Sequence, residues 1–244
     1  MNINYLLKYF NLKLQRRIKK DNIMDNDKLF IDFYDKCKDY TALSKERLFS
    51  LYKCVNYILD NNIKGDFVEC GVYKGGAVMM IAYILKYRKI DDRTIWLYDT
   101  FKGMTRPSIK DKYIHNNEDL EQRWYKQQKR SYNEWVYSPV EEVYRNILKT
   151  DYDQFIFVQG DVCETLKHEH NLPKNISVLR LDTDFYDSTK SELNKLYPRL
   201  TKDGILIIDD YGTFEGCKIA VDEYFNNQLP YFTRTDETEI VIRK

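Results

Sequence analysis

Four aspartates stand at the ends of two short apolar runs. Val178 to Leu181 ends in Asp182-Thr183-Asp184, and Ile205 to Ile208 ends in Asp209-Asp210. The residues between, Ser188 to Leu200, repeat apolar side chains at helical spacing (Leu193, Leu196, Tyr197, Leu200), with Ser188 placed to cap the start. Strand, helix, strand with a right-handed crossover makes the strands parallel. Asp182, Asp184, Asp209 and Asp210 then meet at one carboxyl edge, where open α/β sheets bind ligands. Four carboxylates in one place repel, and a hard cation is what lets them coexist. Asp182-Thr183-Asp184 also has the D-x-D form by which many glycosyltransferases hold a metal and a sugar-nucleotide diphosphate. That alternative leaves the remaining acidic strand ends unexplained.

Those ends lie upstream. Gly65-Asp66-Phe67-Val68-Glu69-Cys70-Gly71-Val72-Tyr73-Lys74-Gly75-Gly76 is a strand, a carboxylate, a glycine turn and the opening of a helix over Ala77 to Tyr87. Its G-x-x-x-G-G pattern is not the pyrophosphate fingerprint of dinucleotide sites. Thr94 to Tyr98 ends in Asp99, placed where a carboxylate accepts from both hydroxyls of a ribose, or else caps the following turn. Phe155 to Val158 is followed by Gly160-Asp161, with Asp161 set to meet an adenine amino group or to cap a short helix.

The supporting elements follow from the pattern. Ser44 caps a helix running to about Leu59. Residues 1–60 read as a helical N-terminal extension, and 61–244 as one doubly wound α/β domain closed by a C-terminal hairpin. Residues 105–138 break the α/β rhythm with His115, Trp124, Tyr125, Tyr132, Trp135 and Tyr137 among many charges, and are predicted to form a mobile lid over the carboxyl edge. The first twenty residues place Ile3, Leu6, Leu7, Phe10, Leu14 and Ile18 on one helical face and end in a basic cluster. Such a stripe docks on this protein or on a second copy, giving a homo-oligomer, or lies on an anionic membrane surface.

With 39 Lys and Arg against 38 Asp and Glu in 244 residues, the chain has no global basic field, which argues against a nucleic-acid partner. Five scattered cysteines, without paired spacing and without a run of eighteen apolar residues beside them, fit reduced thiols in the cytoplasm.

Taken in order, YTALSKERL, GDFVECGVYKGG, WLYDTFKGM, LRLDTDFYDST and LYPRLTKDGILIIDDYG resemble the macrocin O-methyltransferase family over roughly Tyr40 to the C-terminus. That resemblance implies a class I methyltransferase (Rossmann-like) sheet, mostly parallel with an antiparallel last strand. It implies S-adenosyl-L-methionine as cofactor, Mg2+, and a sugar hydroxyl as acceptor. By position it implies metal ligands Asp182, Asp209 and Asp210, a catalytic base at Asp184, and cofactor contacts at Glu69, Gly71, Asp99, Asp161, Thr41 and Ser44. The chemistry is coherent, since a sugar hydroxyl is a poor nucleophile that a cation and a nearby carboxylate would activate. The acceptor is open between a glycosylated natural product, a surface glycan and its nucleotide-linked precursor, and another vicinal diol such as a catechol suits the same arrangement.

Overall fold

The computed structural model describes residues 23–244. The amphipathic stretch within residues 1–22, with its expected docking or membrane contact, lies outside the described residues. Helices α1 (Ile23–Asn26), α2 (Lys28–Cys37) and α3 (Lys45–Asp60) come first. Asp27 caps α2 by accepting from Phe30 N, and Ser44 caps α3 by accepting from Arg47 N. The chain then alternates through β1 (Asp66–Cys70), α4 (Gly76–Tyr87), β2 (Ile95–Asp99), α5 (Leu120–Gln127), α6 (Val140–Ile147), β3 (Phe155–Gln159) and α7 (Val162–Thr165). It ends with β4 (Ile176–Leu181), α8 (Tyr186–Lys195), β5 (Leu200–Ile208), α9 (Glu215–Tyr224), β6 (Phe232–Arg234) and β7 (Ile240–Arg243).

The strands form one sheet in the order β3-β2-β1-β4-β5-β7-β6. Neighbours from β3 to β5 are parallel, and β7 runs antiparallel to both β5 and β6. Side chains alternate between faces as strand geometry requires. Phe67, Val178, Ile205 and Ile207 join the core with α2, α3 and α4, whereas Val68, Leu179, Leu181, Leu206 and Ile208 join the core under α8 and α9. Both faces are covered, so the central strands carry near-continuous apolar runs. Helices α1 to α3 share the first core with α4. No helix among the described residues is long and apolar enough to cross a membrane.

One local expectation is corrected. Helix α8 starts at Tyr186, with Phe185 rather than Ser188 in the N-cap position and no side-chain cap of its own. Asp111, from the long β2–β3 connection, supplies the missing acceptor by taking the Tyr186 N–H at 2.8 Å. Ser188 sits in the first turn and donates to the carbonyls of Thr183 and Phe185.

Candidate active site

The ends of β1, β2, β3, β4 and β5 open onto one cavity of about 410 Å³. Its floor at β1 depends on a glycine. Gly71 has φ +83, and a Cβ there would overlap the Asp182 carbonyl oxygen. A left-handed residue without a side chain is what lets the β1 exit lie against the β4 exit. Gly71→Ala is expected to combine strain with overlap and destabilise the fold by about 1–3 kcal/mol or more. A thermal midpoint equal to wild type would contradict it. At the neighbouring helix start, a Cβ on Gly76 would lie 2.7 Å from Tyr40 O and 2.6 Å from Thr41 Cβ, so α4 packs against this segment and sets Thr41 at the cavity wall.

At one end of the cavity Asp99 Oδ2 accepts from Val72 N at 2.7 Å and Tyr73 N at 3.2 Å, while Oδ1 accepts from Phe101 N at 2.7 Å. Burial pushes its pKa up, and these N–H donors pull the other way. Asp99 thus fulfils the turn-capping role and also ties two loops together; Oδ2 already accepts two N–H bonds, and Oδ1 retains further acceptor capacity. Asp161 caps α7 through Cys163 N at 2.8 Å and lines the same end. Glu69, Gly71 and Thr41 line the cavity as well. Ser44 does not; its hydroxyl is occupied in capping α3, and the wall beside it is made by Ala42, Leu43 and Arg47.

At the other end Asp182, Asp184 and Asp210 each bring a carboxylate oxygen within 4.8 Å of the others. Asp184, expected as the base, belongs to this converging group, and Asp209, expected as a ligand, does not. Both Asp209 oxygens are held by guanidinium groups, Oδ1 by Arg180 and Oδ2 by Arg47. Burial, then the charge of Asp182, push the Asp184 carboxyl up to about 7. Burial and the neighbouring Asp184 and Asp209 push Asp210 up as well, and its Oδ2 is buried without a hydrogen-bond partner among the described residues. Three crowded carboxylates, one with an unpartnered buried oxygen and all with hard oxygen donors, fit a divalent cation of the Mg2+ type.

Two arginines join the ends, and the sequence reading gave neither a role at the site. Arg180 lies one residue before the end of β4, 1% exposed. Its Nη1 donates to Glu69 Oε1 at 2.5 Å and to Asp182 Oδ2 at 2.8 Å, and its Nη2 to Asp209. Burial works against its charge, and Asp182, Glu69 and Asp209 more than offset that. Arg47, one turn into α3, reaches Asp209, Asp236 at 2.6 Å and Thr238. The available signal was Arg180 itself, a charge inside an apolar strand two residues before Asp182 and so on the same face.

The β2–β3 connection forms one wall. Met104, Thr105, Tyr113, Trp135 and Val136 line the cavity. Tyr113 stacks on Phe214 at 4.8 Å, and Trp135 meets Phe185 edge-on at 6.0 Å. The segment carries α5 and buried anchors at Leu120 and Trp135, so it is packed onto the carboxyl edge in this structure.

This sheet order, with an antiparallel β7 and a cavity at the carboxyl ends of β1 to β5, is the class I methyltransferase architecture. The sequence profile of the macrocin-O-methyltransferase (TylF) family matches residues 4–242, which extends beyond the Tyr40 start of the quoted motifs. The chain belongs to that family and is an O-methyltransferase. It is 35% identical over 189 residues to the demethyldecarbamoylnovobiocin O-methyltransferase of Streptomyces niveus, covering 76% of this chain and 67% of that one. It is 32% identical over 187 residues to the 8-demethyl-8-(2,3-dimethoxy-alpha-L-rhamnosyl)-tetracenomycin-C 4'-O-methyltransferase of Streptomyces olivaceus, covering 76% and 67%. The solved structure of the O-methyltransferase NovP superposes with a TM-score of 0.71 at 30% identity, over 84% of this chain and 82% of NovP. Family and fold leave the glycosyltransferase alternative without support.

Proposed function

We propose that the protein transfers a methyl group from S-adenosyl-L-methionine to a hydroxyl of a sugar, with a divalent cation at the acceptor end of the cavity. The observation that carries this reading is the single cavity with two unlike ends: Gly71, Asp99 and Asp161 at one, and Asp182, Asp184 and Asp210 at the other. The sugar acceptor rests on the family and on the rhamnosyl group in the name of one relative.

When bound, S-adenosylmethionine supplies a methyl group on a sulfonium, and a cation lowers the proton affinity of the acceptor hydroxyl. Asp99 offers its spare acceptor capacity to ribose hydroxyls, and Asp161 sits at the adjoining strand end for the base. Asp182 and Asp210 would hold the cation. Asp184 takes the acceptor proton; a carboxyl held near neutrality by burial suits a base working at neutral pH. Tyr113, Trp135 and Phe214 exclude water from the acceptor face and give a sugar ring apolar surface to lie on. Asp209 acts through Arg47 and Arg180, which orient the surroundings of the cation rather than leaving it a third ligand.

Purified protein incubated with methyl-labelled S-adenosylmethionine and a panel of deoxysugar glycosides and nucleotide sugars is expected to label one of them. Exhaustive chelation should abolish labelling, and added Mg2+ should restore it. Labelling at full rate in the presence of chelator would remove the cation from the reaction. Failure of S-adenosylhomocysteine to bind would remove the cofactor.

A further inference from the structure

Glu192 is a carboxyl that the proposed reaction does not use. It lies on α8, 0% exposed, in the core beneath the sheet's second face. Its Oε1 accepts from Thr183 Oγ1 at 2.9 Å. Its Oε2 has no hydrogen-bond partner among the described residues, and the weakly donating Cys70 thiol is the other polar group near the carboxyl. A buried carboxyl with an oxygen so poorly partnered is costly. Packing does not ask for it, since Leu193 and Leu196 already fill the apolar contacts of this helix.

What Glu192 does hold is the residue between two site carboxylates. Thr183 is fixed at three points: its hydroxyl by Glu192, and its carbonyl by Phe185 N at 2.7 Å and by Ser188 Oγ at 3.2 Å. Asp184, the next residue, has φ +67, a conformation that non-glycine residues keep only where their surroundings enforce it. With backbone and side chain of Thr183 both pinned to α8, the directions of Asp182 and Asp184 are set from behind the site.

We propose that Glu192 is a positioning residue: through Thr183 it holds Asp182 and Asp184 in the arrangement that converges with Asp210 on a divalent cation. The inference rests on the cation reading above. It predicts a separation that packing alone would not produce, because removing the buried carboxyl should leave the fold as stable or more so while loosening the cation site.

The test is Mn2+ affinity, read by electron paramagnetic resonance on the full chain with S-adenosylhomocysteine present, alongside thermal midpoints. Glu192→Met keeps the side-chain length without the acceptor and is expected to weaken Mn2+ binding by about 10–100-fold, the usual effect of losing a group that orients a ligand, with the midpoint unchanged or raised. Thr183→Val should weaken binding to a similar degree, and the double variant no further, because both remove one interaction. Glu192→Gln retains the acceptor oxygen and should stay within about threefold of wild type. The inference is overturned if Glu192→Met binds Mn2+ like wild type, if the two single effects simply add, or if Glu192→Gln is as weak as Glu192→Met. Should Glu192→Met not fold, Thr183→Val and Glu192→Gln decide the matter by themselves. A wild-type chain that binds no Mn2+ overturns the cation reading and this inference together, whereas a wild type that binds with indifferent variants overturns this inference alone.

Discussion

Asp184→Asn is expected to lower turnover by about 10²–10⁴ at saturating Mg2+, the usual contribution of a general base, with cofactor affinity unchanged. Asp184 leaves β4 in a left-handed conformation within reach of Asp182 and Asp210, so ligand and base are both geometrically open to it. The asparagine variant separates the two. An amide oxygen remains a weak ligand, so loss of a ligand would raise the Mg2+ requirement and be largely restored by excess metal. Loss of a base would not respond to metal. The pH dependence gives a second sign. A base works deprotonated, so the wild-type rate should rise with pH through the Asp184 pKa, which burial and then Asp182 push up to about 7 in the cation-free site and a bound cation draws down from there, and level off above it. The variant lacks that group, and its residual rate should keep rising with pH as hydroxide takes the proton. A near-wild-type rate for Asp184→Asn would end the base assignment, and recovery by metal alone would make Asp184 a ligand.

The strand-end carboxylates were legible because apolar runs of four residues stop abruptly at aspartate, and the period of two carries that edge through the whole sheet. The split of Asp209 from Asp210 had a signal too, since consecutive residues leaving a strand point to opposite sides. Asp210 turns to the cavity and Asp209 to the arginines. What local pattern could not show came from far along the chain. Helix α8 begins two residues before Ser188 because its cap is Asp111, 75 positions upstream. Glu192 is invisible to binary patterning for a related reason, being a polar residue on a charged helix whose burial is set by tertiary packing; Arg180 showed as a charge inside an apolar strand, but its partners are set by packing too. Ser44 was located correctly as a cap, and that engagement is what keeps it out of the cavity wall.

Arg180→Met should cost about 3–5 kcal/mol at neutral pH, the range for removing one partner from a buried ion network. Wild-type stability of this size of domain is about 5–15 kcal/mol, so the variant stands near the limit of folding. Methionine fills nearly the same volume, so the loss is electrostatic rather than a cavity. It strands Glu69, Asp182 and Asp209, which Arg180 now compensates. The sign with pH follows from Glu69. In wild type, burial raises its pKa to about 8 even with Arg180 opposing. A group raised above its unfolded value, about 4.3, contributes stability fully present below that value and lost as pH rises through the folded pKa. Without Arg180 the folded pKa moves higher still, so the part of the deficit that comes from Glu69 is flat from pH 5 to about 8 and opens above that, where the wild-type carboxyl ionises and that of the variant does not. At about 2–4 °C per kcal/mol for a chain of this length, the midpoint at pH 7 to 8 should fall by about 6–20 °C, with a larger gap above pH 9. Adding Glu69→Gln to Arg180→Met removes one buried ionisable carboxyl that the variant leaves without its partner and should recover part of the loss. Midpoints that coincide with wild type at pH 8, or a gap that grows on acidification, would show that Arg180 does not carry the charge balance of this edge.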